Sequence, residues 1–283
     1  MKKRDILNSP RLLELKKHRR RIVLNKILFS VFVCLVLFII LVFISRLNKL
    51  NIFEIKITGN KIVDTELIND VVKNNLQGHY LYFFPRSNFL LLPKNTIKQE
   101  LVSKFKRLKD ISISLGEANT LAISVSEREG KYIYCGENLP SIIPSNEESP
   151  CYFVDESGYI FDLAPYFSGV VYFKFFGPEA NSYFSPEIFE KIISFKNNII
   201  NMGIKPTSLY VKNDGDIEIY LSSNKLPPEA PKIIFKNNFD LDKLSENLRA
   251  AMFTEPLKSD FKNKYSSMQY IDLRFGNKVY FKF

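Results

Sequence analysis

A stretch of nineteen residues without a charged side chain, which begins at Ile27 and ends at Ser45, constrains this chain more than any other feature. A helix over this stretch would be roughly 28 Å long, close to the thickness of the hydrocarbon core of a bilayer. A buried core helix or a secretory signal are the alternatives, but signal segments usually span about 7–15 apolar residues and end in small residues. Here Arg46 and Leu47 come next. We therefore expect an uncleaved transmembrane helix that holds the chain in the lipid bilayer.

The net charge of +10 is concentrated before this helix. Residues 1–26 contain ten Lys or Arg and two acidic residues, and their net charge of +8 leaves only +2 for the rest. This segment lacks the interleaved aromatic residues that stack on bases, so we expect no nucleic-acid partner. Seven Lys or Arg lie in residues 10–26 and four in residues 46–65. The positive-inside rule then predicts a cytoplasmic N-terminus and extracytoplasmic C-terminal domains.

Cysteine and histidine positions bear on disulfide and metal chemistry. Cys34 lies in the predicted span, whereas Cys135 and Cys151 lie in the exported part, where a disulfide can persist. A disulfide between these two cysteines would close a loop of about sixteen residues and stabilise the fold by about 3 kcal/mol. The alternative is two reduced cysteines. The histidines are His18 and His79, far apart in sequence, so we expect no metal site.

Apolar periodicity after the anchor predicts the order strand, helix, helix, strand, strand. Asp64 is placed to cap the first helix, the second helix begins near Pro93, and residues 116–119 form the turn between the last two strands. The apolar faces contain Phe53, Ile55, Ile57, Leu67, Ile68, Val71, Val72, Ile97, Leu101, Phe105, Ile111, Ile113, Leu121, Ile123 and Val125. The aromatic-rich connection at residues 77–92 is long, and it either packs under the helices or forms a surface for a partner.

The remainder of the chain, from about residue 131, is rich in predicted strands and contains two helices. Ser185 and Pro186 predict the start of one helix and Gly203 its end, while residues 213–216 predict a hairpin turn. The apolar stripe of the second helix consists of Leu241, Leu244, Leu248 and Met252. The predicted strands cover residues 152–155, 159–161, 170–175, 209–212, 217–222 and 232–235, followed by the C-terminal hairpin.

Several segments resemble the FtsQ and DivIB family of bacterial cell-division proteins. The POTRA domain of that family is similar to FEIKITGNKIVDTELI, LPKNTIKQELVSKFKRLKDISI and LAISVSERE, and its β-domain to CYFVDESGYIFDLAP and YIDLRFGNKVYFKF. The resemblance implies an α+β chain with a basic cytoplasmic tail (residues 1–26), a single N-terminal transmembrane helix (27–45), a small βααββ POTRA domain (51–128) and an FtsQ-type β-domain (131–283). The last domain would be a mixed β-sheet with helices on one face.

The C-terminal hairpin can be assigned a register from its side chains. A two-residue loop at residues 276–277 would mix polar and apolar faces, whereas a three-residue loop at residues 276–278 places apolar residues opposite one another. We therefore predict the three-residue loop, with Asp272 opposite Lys282. This register pairs Phe275 with Val279, Leu273 with Phe281, and Ile271 with Phe283.

The last strand is the candidate binding site. A strand without a successor is expected at a sheet edge, where unpaired backbone groups can accept a strand from another chain. The resemblance implies that this strand pairs with a small bitopic partner of the FtsB or DivIC type, with FtsL-type and other divisome membrane proteins as further partners. The candidate partner-binding residues are Val279, Tyr280, Phe281 and Lys282, of which Tyr280 and Lys282 face away from the apolar set. The alternative is an internal or covered strand.

We expect no enzyme and no cofactor. Ser-x-x-Lys occurs three times, beginning at Ser103, Ser222 and Ser259, but no Lys-Thr-Gly or Ser-Asp-Asn accompanies it. The sequence thus predicts a non-enzymatic bitopic scaffold of the division machinery, located in the cell membrane at the septum. The alternative is a POTRA-containing secretion, assembly or adhesion scaffold unrelated to division. Residues 131–283 lack the repeated strands of about ten residues that a β-barrel needs.

Overall fold

The computed structural model describes residues 10–117, 119–139, 150–167, 169–180 and 182–283. Residues 1–9 of the predicted tail and Ala118 of the predicted turn lie outside the described residues. The chain divides into two compact units, Met1–Glu127 and Arg128–Phe283, and combines helices with a large mixed sheet.

The first unit begins with a single long helix, α1 (Pro10–Ser45), which has 36 residues. Its part from residue 14 to residue 45 is long and apolar enough to cross a membrane, and its most apolar window has none of its surface buried in the protein. The uncharged stretch identified in the sequence forms the C-terminal half of this helix. Because the apolar side chains cover all sides of the helix, a bilayer is the solvent that suits them.

A small sheet and two helices follow α1. The elements are β1 (Glu54–Thr58), α2 (Thr65–Leu76), β2 (His79–Tyr80), β3 (Phe84–Pro85), α3 (Lys94–Lys104), β4 (Leu108–Leu115) and β5 (Thr120–Glu127). Strand β5 lies in the centre, parallel to β1 and antiparallel to β4, while β2 and β3 form a separate hairpin between the helices. The structure therefore contains the predicted order of strands and helices, with this hairpin added.

The helices of the first unit pack their apolar stripes on the three-stranded sheet. Asp64 caps α2 as predicted, since its carboxylate accepts a hydrogen bond from the Glu66 N–H at 2.9 Å. Two residues of the predicted apolar faces, Phe53 and Leu67, are exposed instead. Phe53 precedes β1, where its N–H binds the Asn119 carbonyl. The fully enclosed core residues are Ile68, Val71, Val72, Ile97, Leu101, Leu108, Leu121 and Ile123.

The second unit is built on a nine-stranded mixed sheet. Its strands are β6 (Tyr132–Tyr134), β7 (Tyr152–Val154), β8 (Ile160–Leu163), β9 (Lys174–Phe176), β12 (Pro206–Val211), β13 (Asp216–Leu221), β14 (Lys232–Lys236), β15 (Tyr270–Phe275) and β16 (Lys278–Lys282), and β10 (Glu179–Ala180) and β11 (Tyr183–Phe184) form a small hairpin. The spatial order is β16-β15-β14-β13-β12-β9-β6-β7-β8. Pairs β14/β15, β12/β9 and β6/β9 are parallel, and the other neighbours are antiparallel.

Helices contribute to the main core of this unit, which lies on one face of the sheet. They are α4 (Phe189–Asn201), α5 (Leu241–Phe253) and α6 (Leu257–Asn263). Their buried residues form one cluster with the inward residues of β12 to β15, among them Ile217, Ile219 and Phe235. On β13 the residues between these apolar positions, Asp216, Glu218 and Tyr220, are also buried. The sheet therefore carries a polar layer on its other face.

Three predictions about the helix and strand bounds and the helix number of this unit were wrong. Helix α4 begins at Phe189, because Ser185 has a φ of +40° and its carbonyl accepts the N–H groups of Ile188 and Phe189 in a preceding turn. Of the strand expected at residues 170–175, only the end lies in β9 (Lys174–Phe176). Helix α6 was not predicted. The hairpin across residues 213–216, strand β14 and helix α5 are confirmed.

The structure contradicts the predicted register of the C-terminal hairpin. A two-residue turn at residues 276–277 joins β15 to β16, and Leu273 and Arg274 together oppose Val279 in a β-bulge. The extra residue returns Leu273 to the core face, so the short turn no longer mixes polar and apolar faces. The observed register pairs Phe275 with Lys278, Asp272 with Tyr280, Ile271 with Phe281, and Tyr270 with Lys282. The predicted pairing of Asp272 with Lys282 is therefore also wrong.

Candidate partner-binding edge

Strand β16 ends the nine-stranded sheet, with β15 as its neighbour within the described part of the chain. The opposite end of the sheet, β8, is partly covered. The Ile160 N–H donates to the Ser182 carbonyl at 2.7 Å, and Tyr159 forms an isolated bridge with Tyr183. The edge at β16 is therefore the more accessible of the two, and a row of backbone donors and acceptors at such an edge can pair with another strand.

The side chains of β16 alternate between the core and solvent. Val279 and Phe281 are half-buried and pack against the main core, as does Phe283 beyond the strand. Tyr280 and Lys282 are exposed, on the face predicted from the sequence. The Tyr280 ring makes an edge-to-face contact with the ring of Phe275, with 5.1 Å between centroids. The core-facing row holds the strand in place, while the outward row remains available for contacts with a partner.

The turn of this hairpin is fixed by α5. The Asn247 side-chain amide donates to the Gly276 carbonyl at 2.8 Å, and Gly276 has a φ of +64°. A residue with positive φ suits the tight turn, since glycine has no Cβ to clash. Backbone pairing continues past the strand, where the Gln269 N–H donates to the Lys282 carbonyl at 2.8 Å. Strand β16 is thus held at both ends, which leaves its outer edge extended and pre-organised.

A charge network on the polar face supports β15, the strand next to the edge. Arg274 donates two hydrogen bonds to Asp272, at 2.9 and 2.5 Å, and one to Asp216 of β13 at 2.5 Å. Lys236 lies 2.8 Å from the other oxygen of Asp216. Burial alone would raise the pKa of Asp216, but the hydrogen bonds from Lys236 and Arg274 outweigh it and hold the pKa below its ordinary value. This network links β13, β14 and β15.

A second group of charges continues the polar layer across the sheet. Glu218 is buried and receives ion pairs from Lys212 at 2.7 Å and Lys232 at 3.0 Å, together with a hydrogen bond from the Tyr220 hydroxyl. Burial opposes ionisation of Glu218, yet these donors lower its pKa. Burial and the nearby Glu218 carboxylate raise the pKa of Tyr220. Each buried charge therefore has a partner of opposite sign, as a stable interior requires.

Sequence reasoning did not identify this polar layer. The signal was present in the alternation of acidic Asp216 and Glu218 with apolar Ile217 and Ile219, because residues two apart share one face of a strand. Asp216 was assigned to the predicted turn at residues 213–216, so its carboxylate was not grouped with that of Glu218. The partner cations come from neighbouring strands and cannot be paired without the strand order.

Cys135 and Cys151 flank two neighbouring strands of the large sheet. Cys135 follows β6 and Cys151 precedes β7, and the structure joins them in a disulfide with an S–S distance of 2.07 Å. They belong to a small apolar cluster of their own that includes Ile133, Ala164 and Phe176. Cys34 is a free thiol on the surface of α1.

A metal site needs several ligand side chains that converge on one point. In residues 10–283 apart from 118, 140–149, 168 and 181, no set of three or more His, Cys, Asp or Glu is placed to hold a metal ion. Two of the Ser-x-x-Lys serines donate hydrogen bonds to nearby residues, Ser103 to the Glu100 carbonyl and Ser259 to the Glu255 carboxylate. We take the edge at β16 as the candidate functional site because it is the more accessible end of the large sheet.

Comparisons with protein-family models and with curated proteins find no match for this chain. The resemblance to the FtsQ and DivIB family therefore depends on the quoted segments and on the order of elements along the chain.

Proposed function

We propose that this chain is a non-enzymatic, single-pass membrane scaffold of the bacterial division machinery, similar to FtsQ and DivIB. In this proposal α1 anchors the chain with its N-terminus in the cytoplasm, the βααββ part is a POTRA domain, and the nine-stranded sheet belongs to the β-domain. The partners are small bitopic proteins of the FtsB or DivIC type and of the FtsL type, and recruitment occurs at the septum.

The single observation that carries the proposal is the accessible edge at β16. Adding a strand there would form main-chain hydrogen bonds without moving the core, because Val279 and Phe281 already pack inward. The exposed Tyr280 and Lys282 would then lie beside the incoming strand and provide specificity. The polar layer beneath β15 keeps the neighbouring strand rigid, which lowers the entropy lost on binding.

The test is capture of candidate division partners by the full-length chain in detergent or nanodiscs. A chain cut before Lys278 lacks β16 and should lose the partner. Because this cut also removes core contacts of Val279 and Phe281, a milder variant is needed. Tyr280→Ala with Lys282→Glu leaves the core-facing row intact, and we expect the affinity to fall by about tenfold or more.

A matched control lies at the other end of the sheet. Leu163 on β8 is an exposed apolar residue at an edge that is partly covered, so Leu163→Ala should leave capture unchanged. Hydrogen exchange on the complex tests the mode of binding, since strand addition should slow exchange of the Lys278–Lys282 amides. Equal capture by the cut chain, or unaltered exchange of these amides in a formed complex, contradicts strand addition.

Cellular imaging separates division from the other scaffold functions. A fluorescent fusion should collect at midcell if the proposal holds. A uniform membrane signal favours the alternative of a secretion, assembly or adhesion scaffold, and a reporter attached to the C-terminus that is active in the cytoplasm contradicts the proposed orientation.

A further inference from the structure

The hairpin formed by β2 and β3 exposes apolar side chains at its tip, residues 81–83. Leu81 is 76% exposed and Tyr82 is 92% exposed, and Phe83 is also exposed. Leu81 and Tyr82 have φ values of +49° and +64°, in the left-handed region that bulky residues rarely adopt. Such a conformation costs about 1–2 kcal/mol per residue. Exposure of these apolar side chains to water and the positive φ values are both unfavourable, so we expect the tip to contact something other than water.

The same hairpin contacts α1 inside its apolar stretch. The Phe38 ring lies 5.5 Å from the Phe83 ring and 5.8 Å from the Phe84 ring, measured between centroids, with edge-to-face geometry. Phe38 is about two helical turns before Ser45, roughly 10 Å along the helix axis from the end of the uncharged stretch. If that stretch fills the hydrocarbon core, the hairpin rings lie below the level at which the core begins.

Buried amide side chains fix the hairpin to the end of α1. Asn51 and Asn88 both donate to the Ser45 carbonyl, at 3.0 and 2.9 Å, and both are buried. The Ile52 N–H also donates to the Ser87 carbonyl at 2.9 Å. The carbonyls at a helix C-terminus lack intrahelical partners, so these bonds satisfy a group that would otherwise be unpaired. The position of the tip relative to the membrane helix is therefore set by hydrogen bonds.

Cationic and amphipathic groups surround the rings at the level of the helix end. The Arg46 Nε donates to the Phe83 carbonyl at 3.4 Å, and the Arg86 guanidinium lies 5.2 Å from the centre of the Tyr80 ring. Arginine and tyrosine are typical of the interface between hydrocarbon and water, because their apolar parts enter lipid while their polar ends reach headgroups.

We propose that the tip at residues 81–83 inserts into the lipid leaflet next to the folded part of the first unit, as a second membrane contact beside α1. Tyr82 and Leu81 enter the upper acyl region, and Arg46 and Arg86 remain at the phosphates. The insertion is shallow, since the backbone of a turn keeps polar groups that must reach water or headgroups. The hairpin then fixes the tilt and rotation of the folded unit on the membrane. This proposal requires α1 to cross a bilayer and is independent of a role in division.

The absence of tryptophan from the sequence allows a direct test with single reporters. Three variants of the full chain each receive one tryptophan: Tyr82→Trp at the tip, Leu35→Trp on the exposed surface of α1, and Ile62→Trp as the control. Ile62 is 69% exposed and lies beyond the end of β1 that is remote from α1. Each variant is placed in unbrominated phosphatidylcholine vesicles, in vesicles with acyl chains brominated near the headgroup, and in vesicles with acyl chains brominated near the bilayer centre. The last of these is needed for position 35, which lies about 15 Å along the helix axis from Ser45.

Bromine quenches tryptophan emission at short range. We expect position 82 to emit at shorter wavelength than position 62 and to lose most of its emission in the vesicles brominated near the headgroup, while position 62 loses little. Adding Leu81→Asp to the variant at position 82 should reduce the quenching, because a carboxylate resists entry into lipid.

Position 35 distinguishes the two ways in which the test can fail. If position 35 is quenched and position 82 is quenched no more than position 62, the helix is in lipid and hairpin insertion is wrong. If neither brominated lipid quenches position 35, α1 does not cross the bilayer and the proposal fails at its premise. The vesicles contain no other protein, so a tip that needs a protein partner instead of lipid gives the first of these results.

Discussion

Gly59→Ala tests how tightly the first unit is packed at the end of β1. Gly59 has a φ of +93°, and a Cβ on this residue would lie 2.1 Å from the carbonyl oxygen of Val125 in β5. That oxygen belongs to the central strand of the three-stranded sheet, which pairs with β1 on one side and β4 on the other. A side chain at position 59 therefore cannot be accommodated by a rotamer change. The backbone of β1 or β5 must move.

Two contributions determine the expected loss of stability. The positive φ costs an alanine about 1–2 kcal/mol. Displacing packed backbone costs a further 1–3 kcal/mol or so, by analogy with an overfilled core. We therefore expect about 2–5 kcal/mol in total. Gly78→Ala is the matched control in the same unit, because Gly78 has a φ of +87° but no atom within 4 Å of the added Cβ. Its cost should be the conformational part alone, about 1–2 kcal/mol.

Hydrogen exchange on the full chain in detergent micelles measures the effect locally, in peptides that cover β1 and β5. Because about 1.4 kcal/mol corresponds to a tenfold change, Gly59→Ala should speed exchange in these strands by roughly 30-fold or more. Gly78→Ala should change exchange in β1 and β5 much less, since it lies after α2 and away from that ladder. Equal acceleration by the two variants would refute the steric argument and leave only the backbone conformation.

Three further outcomes follow from contacts in the second unit. Asp155→Asn removes a buried carboxylate that accepts hydrogen bonds from Arg128 at 2.5 Å and from the Ser157 and Tyr159 N–H groups, and should lower the free energy of urea unfolding by about 1.5–3 kcal/mol. A loss below about 0.5 kcal/mol would show that these bonds do not stabilise the fold. Replacing Cys135 and Cys151 by serine should lower the free energy of unfolding by about 3 kcal/mol. Equal unfolding midpoints for the unsubstituted chain with the disulfide intact and after its reduction would contradict this prediction. Acidification should destabilise this unit, because folded carboxylates such as Glu218 have a lowered pKa. Their contribution to stability is present above the pKa of the unfolded state, about 4.3, and disappears as the pH falls through the pKa of the folded state. Urea unfolding at pH 7 and pH 3 measures this, and equal midpoints would contradict it.

Elements with strong local signals were predictable from the sequence. Helix α1 follows from an uncharged stretch, α5 from a four-residue apolar stripe, and the β12–β13 hairpin from the Asn-Asp-Gly turn at residues 213–215. These signals involve residues near one another in the chain, so no tertiary information is needed to interpret them. The start of α4 was mispredicted because Ser185 and Pro186 match a capping pattern, whereas tertiary packing places Ser185 in a turn with positive φ.

The candidate site was predictable in part. Alternation along β16 places Tyr280 and Lys282 on the face away from the core, and the structure agrees. The register was not predictable by matching faces, because that procedure assumes an uninterrupted ladder. A bulge adds one residue to one strand. With that extra residue, the two-residue turn, and not the three-residue loop, places apolar residues opposite one another. The position of the β2–β3 hairpin could not be predicted either, since it depends on buried side-chain amides that bind the end of α1.

The bulge has a structural consequence for the edge at β16. Without the extra residue, a two-residue turn would place Arg274 opposite Val279 in a regular ladder, and the polar and apolar faces of β15 and β16 would not coincide. With it, Arg274 remains on the polar face with Asp272 and binds Asp216 two strands away at 2.5 Å. The strand beside the edge is therefore held from the interior of the sheet, while β16 is held by its core-facing row. Neither attachment uses the outer backbone of β16, and no described strand pairs with it there. The features that fix this strand therefore also preserve the surface to which another strand can add.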